Sequence, residues 1–145
     1  MDAVTREPID FTRLVAEVSG PGRGGTVLFL GSVRRGPDDG PVQAIEYSAY
    51  EEMVGPELER ILREAEAHWP GARFAAQHRV GRVALGEPSI AVAAAAPHRA
   101  EAFAACRFVI DEAKKRLPVW KKEGFDDGGT RWQDGDAAPS PSMPR

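Results

Sequence analysis

Asp111-Glu-Ala-Lys-Lys-Arg-Leu-Pro-Val-Trp-Lys-Lys-Glu123 combines a helix, the end of that helix and a cluster of cations. Pro118 has no backbone N–H and disfavours helical geometry in the residue before it, so a helix that carries Lys114 must end near Leu117. The chain then continues in an extended form, which brings Lys121 back near Lys114. The sequence therefore predicts that these two lysines, separated by a break, converge on one anionic group.

The cations of this stretch also have a purely structural interpretation. A solvated basic group at a helix end complements the helix dipole without any function. Trp120 lies in the middle of the cluster, however, and favours an ordered and partly buried segment. The cluster consists of Lys114, Lys115, Arg116, Lys121 and Lys122.

Length and composition indicate one globular domain. The chain has 145 residues, of which 42% are hydrophobic and 28% charged, and it can bury roughly two thirds of its unfolded surface. A net charge of -3 gives no overall attraction to nucleic acid. No apolar run is long enough to span a membrane and no signal peptide opens the chain, so the cytoplasm is the expected compartment. One cysteine and three scattered histidines indicate neither a disulfide nor a metal site, and no cofactor is expected.

The order of predicted elements gives an α+β fold. Residues 1–8 are expected to be loose, residues 1–133 to form the domain, and residues 134–145 to be a disordered Pro/Ser tail. The neighbouring strands at 26–33 and 42–48 are expected to pair antiparallel. Helices are predicted from the Asp10 cap onward, at 50–69 and at about 98–117, and further strands at 73–80, 89–95 and 130–132.

Apolar spacing predicts the buried faces of the two long helices. For the first it selects Met53, Leu58, Ile61, Leu62 and Ala65, and for the second it selects Phe103, Cys106, Ile110, Ala113 and Leu117. A thiol on such a face is inert, because reactive cysteines need an exposed, electropositive setting. Cys106 is therefore rejected as a nucleophile.

Basic residues also stand at two predicted element ends. Arg34 and Arg35 follow a buried strand, where they either bind a ligand or face solvent on a loop. His98 and Arg99 open a helix whose free N–H groups can bind an anion. A basic pair there opposes the helix dipole, which favours a functional reason for it. His78 is interpreted as a structural residue at a strand end.

Eight short segments, taken in their order along the chain, share one resemblance. They cover roughly residues 24 to 132, and only the ordered set is specific. The segments are Gly31-Ser-Val-Arg34, Ile45-Glu-Tyr-Ser-Ala-Tyr50, Glu64-Ala-Glu-Ala-His-Trp-Pro70, His78-Arg-Val-Gly81, Pro97-His-Arg-Ala-Glu-Ala-Phe-Ala-Ala-Cys106, Asp111-Glu-Ala-Lys114, Leu117-Pro-Val-Trp-Lys-Lys-Glu123 and Gly129-Thr-Arg-Trp132. Together they resemble the catalytic (large) subunit family of molybdopterin synthase.

The resemblance implies an α/β-hammerhead-like single domain with an additional antiparallel sheet. It also implies a sulfur transferase that converts cyclic pyranopterin monophosphate to molybdopterin. The sulfur donor would be the C-terminal Gly-Gly thiocarboxylate of a small ubiquitin-like partner. Two large subunits would form a homodimer at the centre of a heterotetramer.

The resemblance also implies roles for individual residues. By matching position, Lys114 and Lys121 are the catalytic lysines, and the residues that bind substrate phosphate and pterin are Arg34, His98 and Arg99. Phe29 and Ile110 match positions that line the channel for the partner's tail. The loop after Arg34 lacks a His or Asn often present in the family, and the Pro/Ser tail replaces a structured basic stretch.

Helix geometry adds a prediction about assembly. Arg99 and Lys114 are fifteen residues apart on one predicted helix, so their backbones lie roughly 22 Å apart. One small substrate cannot bridge that distance, whereas a two-fold dimer can bring one chain's helix start beside the other chain's helix end. The expected site combines Lys114 and Lys121 of one subunit with His98 and Arg99 of its neighbour.

Two functions of other classes remain as alternatives. A non-catalytic adaptor that binds a ubiquitin-like tail would be expected to have lost the lysines or the anion-binding residues, and all are present. An RNA- or nucleotide-binding domain would be expected to carry several exposed aromatics beside its cations and a basic net charge. Neither expectation fits this chain well.

Overall fold

The computed structural model describes residues 1–34, 42–125 and 130–133. Within these ranges the elements follow one another as β1 (Val4–Thr5), α1 (Phe11–Val18), β2 (Gly25–Ser32), β3 (Val42–Ala49), α2 (Glu51–His68), β4 (Arg73–Arg79), β5 (Gly81–Ala84), β6 (Pro88–Ala96), α3 (Arg99–Arg116), β7 (Val119–Phe125) and β8 (Thr130–Gln133). The predicted disordered tail at 134–145 and the predicted loop at 36–41 lie outside the described residues. None of the described helices is long and apolar enough to cross a lipid bilayer.

The first sheet has the strand order β1-β4-β6-β2 and is covered by helices on both faces. The side chains of β6 alternate between two apolar clusters. Ile90, Val92 and Ala94 pack with residues of α2 and α3, while Ala91, Ala93 and Ala95 pack with residues of α1. A strand buried on both faces is apolar at nearly every position, which explains the alanine-rich run of β6.

The second sheet has the order β5-β3-β7-β8 and is antiparallel throughout. The prediction that β2 and β3 pair with each other is wrong, because β2 pairs with β6 and β3 pairs with β5 and β7. Val33 shows where the chain leaves the first sheet. Its N–H donates to the Glu87 carbonyl at 3.0 Å, and its own carbonyl accepts from the Gly86 N–H at 2.7 Å. Its side chain packs with Ile45 and Val83 of the second sheet.

Two short strands were not predicted from the sequence. β1 lies in the segment expected to be loose and pairs parallel with β4; the carbonyls of Ala3 and Thr5 accept from the N–H groups of His78 and Val80, both at 2.8 Å. β5 pairs antiparallel with β3. Both owe their structure to partners distant in sequence, and strands this short show too little alternation to be recognised.

The helices lie close to their predicted limits. The Asp10 carboxylate accepts from the Arg13 N–H at 3.1 Å and caps α1 as predicted. The predicted buried faces contain two errors, since Met53 is 59% exposed and Phe103 is 62% exposed. Met53 directly precedes the buried Val54, and Phe103 directly follows the buried Ala102. A step of one residue turns a side chain about 100° around the helix. The buried stripes are Val54, Leu58, Ile61 and Ala65 on α2, and Ala102, Ala105, Cys106, Val109, Ile110 and Ala113 on α3.

Arg116 connects α3 to α2 through three carboxylates. Its Nε donates to Glu57 at 2.7 Å, its two terminal nitrogens donate to Glu64 at 2.8 Å each, and one of them also donates to Glu112 at 3.3 Å. Hydrogen bonds from Arg60 and then from Arg116 lower the pKa of the Glu57 carboxyl, and Arg116 likewise lowers the pKa of Glu64. Arg116 is thus a structural residue and does not belong with the other cations of its cluster.

We expect Arg116→Met to lower the unfolding midpoint by a few degrees at pH 7, because Glu64 loses its hydrogen-bonded guanidinium and Glu57 keeps only that of Arg60. Both carboxyls have a lowered pKa in the folded state. Their contribution to the free energy of unfolding is therefore complete above the ordinary carboxylate pKa, and it is lost as the pH falls through the lowered pKa. The difference between variant and wild type in thermal unfolding should therefore shrink in acid. Arg107→Met is the control, since Arg107 makes a single exposed pair with Asp111. Equal melting of the two variants at pH 7 would contradict the role of Arg116.

Candidate functional site

A cavity of about 90 Å³ lies where the end of α3 meets both sheets. We call it the lysine cavity, because two lysines contribute to its wall. Tyr47 comes from β3, Ser89 from β6 and Trp120 from β7. Its principal lining residues are Tyr47, His78, Ser89, Lys114, Trp120 and Lys121.

The helix break predicted at Pro118 brings the two lysines together. The Leu117 N–H donates to the Ala113 carbonyl and closes α3, and β7 begins at Val119. β7 then pairs with β3, so that Lys121 lies opposite Tyr47. Residues directly opposite each other on neighbouring strands share a face of the sheet, and both of these line the cavity that Lys114 also lines.

The two cations that follow Lys114 in the sequence form ion pairs. Lys115 lies 3.5 Å from Glu112, and Arg116 is held by its three carboxylates. Among the described residues, no carboxylate lies within ion-pair distance of Lys114 or Lys121. Two positive charges without a counterion in the described part of the chain therefore face one small cavity, which is the arrangement that binds an anion.

His78, interpreted from the sequence as a structural residue at a strand end, lines the lysine cavity. It is only 7% exposed, its ring packs edge-on against Tyr47 with centroids 5.2 Å apart, and its Nδ1 lies 2.8 Å from the Arg79 carbonyl oxygen. Burial, with a smaller contribution from the charge of Lys114, lowers the pKa of the imidazole to about 4. The sequence contained a signal for this. His78 lies two positions after Ala76, on the face of β4 that packs against α2 and α3, where a polar side chain is unusual.

The predicted anion-binding residues lie away from the lysine cavity of their own chain. His98 is the N-terminal cap of α3 and Arg99 its first residue, both exposed, while Lys114 lies near the other end of α3. Gly25 allows this end of α3 to approach β2 closely, because a Cβ there would lie 2.9 Å from the Arg99 Cα. Arg34 follows β2, is exposed, and is likewise outside the lysine cavity.

The two predicted channel residues lie on neighbouring elements. Phe29 is on β2, an edge strand of the first sheet, and is 40% exposed. Ile110 is on α3 and is 8% exposed within the apolar core. Neither residue lines the lysine cavity.

Cys106 is a packing residue, as predicted. It is buried, and its thiol donates a weak hydrogen bond to the Val92 carbonyl at 3.7 Å. Burial raises the pKa of the thiol to about 11, so it is protonated at neutral pH. In the part of the chain that the structure describes, no group of three or more His, Cys, Asp or Glu side chains is arranged to hold a metal ion.

Comparison with known proteins shows the family of this chain. A family model described as "MoaE protein" matches residues 4–116. The chain belongs to the MoaE family. It is 39% identical over 131 residues to a molybdopterin synthase catalytic subunit of Nostoc, with 90% of this chain and 79% of that protein covered. It is 42% identical over 136 residues to one of Pyrococcus abyssi, with 92% and 91% covered.

Solved structures of MoaE relatives share the fold. The crystal structure of molybdopterin synthase from Staphylococcus aureus matches with a TM-score of 0.87 and 30% identity, covering 91% of this chain and 96% of that one. A MoaE protein from Burkholderia ambifaria matches with a TM-score of 0.75 and 36% identity, covering 96% and 93%. The predicted family, the α+β fold and the class of enzyme are thus confirmed. The roles of individual residues stay predictions.

Proposed function

We propose that this MoaE protein is the catalytic subunit of molybdopterin synthase, and that it transfers sulfur to cyclic pyranopterin monophosphate. The sulfur donor is the C-terminal thiocarboxylate of a small ubiquitin-like partner. The observation that carries the proposal is the pair of lysines, without described counterions, in one cavity of a chain of this family.

The chemistry assigned to the lysine cavity is the following. The thiocarboxylate sulfur attacks a substrate carbon that carries an oxygen substituent. The C–S bond forms as that C–O bond breaks, the oxygen leaves as water or as the freed phosphate oxygen, and the partner stays attached through its acyl group. Water then cleaves the acyl–sulfur bond, which leaves the sulfur on the substrate and a carboxylate on the partner. Hydrolysis of the acyl–sulfur bond develops negative charge on the acyl oxygen, which a nearby ammonium stabilises. Two such cycles give the dithiolene.

Lys114 and Lys121 divide two tasks in this scheme. One ammonium stabilises the oxyanion, and the other amine moves protons to and from the substrate. Both lysines face the same cavity, so either assignment is open to them. Sulfur comes from outside the chain, because the one cysteine is buried and protonated.

The size of the lysine cavity supports a site shared between two chains. Sites for small molecules usually enclose about 300 Å³ or more, whereas this one encloses about 90 Å³. The lysine cavity therefore accommodates only the reacting end of the substrate. The remainder of the substrate needs a binding surface outside this cavity. We propose a homodimer in which His98 and Arg99 of the partner subunit supply that surface and Arg34 completes the anion pocket. A small partner at each end makes the heterotetramer.

The C-terminal tail of the small ubiquitin-like partner is proposed to reach the lysine cavity past Phe29 and Ile110. Phe29 exposes an aromatic face on the edge strand β2, where an extended tail can lie. Ile110 is nearly buried, so its part is to support the wall beneath the tail.

Reconstitution tests the proposed function. We expect molybdopterin to form when the protein is mixed with thiocarboxylated partner and cyclic pyranopterin monophosphate, and not when the partner ends in an ordinary carboxylate. Cys106→Ala should give the same yield as wild type and lose on the order of 1 kcal/mol of stability. Absence of product with wild type would refute the proposed function. Loss of sulfur transfer in folded Cys106→Ala would refute an exclusively external sulfur source.

A further inference from the structure

One ring nitrogen of His78 is hydrogen-bonded to the backbone, and the other has no hydrogen-bond partner among the described residues. The Arg79 carbonyl can only accept a hydrogen bond, so Nδ1, 2.8 Å away, carries the hydrogen. Burial keeps the ring neutral, with its pKa lowered to about 4. In the neutral ring the other nitrogen, Nε2, has a lone pair and acts as an acceptor.

The exposure of Nε2 follows from the hydrogen bonds of the described residues. No group in the described part of the chain forms a hydrogen bond with it. Among the described residues, Arg79 Nε is the only fully buried side-chain nitrogen or oxygen that lacks a partner. Since Nε2 also lacks one, it is not fully buried, and the cavity that His78 lines is the lysine cavity.

An acceptor at this position complements the two lysines. Ammonium groups only donate hydrogen bonds, so Lys114 and Lys121 hold the anionic part of a ligand. A ligand that also carries N–H or O–H groups loses affinity if those donors are buried without an acceptor. Cyclic pyranopterin monophosphate is such a ligand, because its pterin ring carries N–H groups beside the reacting carbons.

We propose that His78 is a further substrate-binding residue, whose Nε2 accepts a hydrogen bond from an N–H or O–H group of the ligand held by Lys114 and Lys121. This inference rests on the proposed function and extends it to the orientation of the substrate. The two lysines bind any anion of suitable size. The neutral imidazole favours a ligand that also places an N–H or O–H group against Nε2.

Binding measurements on paired variants test this assignment. We expect His78→Leu to raise the Kd of cyclic pyranopterin monophosphate roughly tenfold, the effect of one lost hydrogen bond, and to leave the Kd of inorganic phosphate unchanged. His78→Gln, whose amide oxygen can accept, should recover most of the affinity. His68→Leu is the matched control, because His68 is exposed and packs on Trp69 and Phe108 outside the lysine cavity. Equal binding of the substrate by wild type and His78→Leu, or equal weakening of both ligands, would overturn the assignment.

A measurement on the wild-type protein covers the case in which His78→Leu does not fold. In the ¹⁵N spectrum of histidine-labelled protein, His78 should be neutral with Nδ1 protonated from pH 8 to about pH 5, in line with a pKa of about 4. Addition of cyclic pyranopterin monophosphate should shift the Nε2 resonance, and inorganic phosphate should not. An unmoved Nε2 resonance in a wild-type protein that binds and converts the substrate refutes the role of His78 alone. A wild-type protein that neither binds nor converts it refutes the proposed function, and this inference with it.

Discussion

Lys114→Ala should lose at least about a hundredfold of the rate of molybdopterin formation while its unfolding midpoint stays almost unchanged. The lysine is exposed, lines the lysine cavity and has no counterion among the described residues, so its removal takes away charge stabilisation and little packing. Substitutions of this kind usually change the free energy of unfolding by no more than about 0.5 kcal/mol. Single-turnover kinetics and thermal unfolding measure the two quantities. Lys121→Ala should behave in the same way with a smaller loss.

Lys115→Ala is the matched control for this experiment. Lys115 is the next residue of the same helix, but its ammonium is paired with Glu112 and it does not line the lysine cavity. We expect it to keep wild-type turnover. A Lys114→Ala protein that retains most of its activity, or that melts much earlier than Lys115→Ala, would show that Lys114 has no catalytic role.

Mixed dimers should recover activity from two inactive variants. If the site combines one chain's lysines with its neighbour's Arg99, a dimer of one Arg99→Ala chain and one Lys114→Ala chain contains one fully intact centre. We expect about half of the wild-type rate per dimer, because the second centre carries both defects. Chains with two different affinity tags allow the mixed dimer to be isolated and its turnover measured.

A second mixed dimer provides the control. Lys114 and Lys121 of one chain line the same cavity. In a dimer of one Lys114→Ala chain and one Lys121→Ala chain, each cavity therefore lacks one lysine, and no intact centre forms. Recovery is therefore expected for the first pair and not for the second. A verified Arg99→Ala/Lys114→Ala dimer without activity would exclude the shared site. Recovery in the Lys114→Ala/Lys121→Ala dimer would show that the two lysines serve different centres.

The sequence by itself determined the features that depend on near neighbours. Pro118 ends α3 and begins the extended segment, because a proline lacks the donor and the geometry that a helix needs. Asp10 caps α1 by a hydrogen bond to a residue three positions away. Cys106 lies on an apolar stripe, which is sufficient to predict an inert thiol. The ordered set of motifs identified the family.

Only the tertiary structure decided features that depend on residues far apart in the chain. Strand alternation shows which face of β3 is buried but contains no information about its partners, which are β5 and β7. Arg116 looks like one cation among five until α2 brings Glu57 and Glu64 against it. His78 looks like the end of a strand until α3 and the second sheet enclose it. Burial then removes its charge, and a neutral acceptor stands beside two lysines. Desolvation and pairing are properties of the packed molecule, and no local pattern in the sequence encodes them.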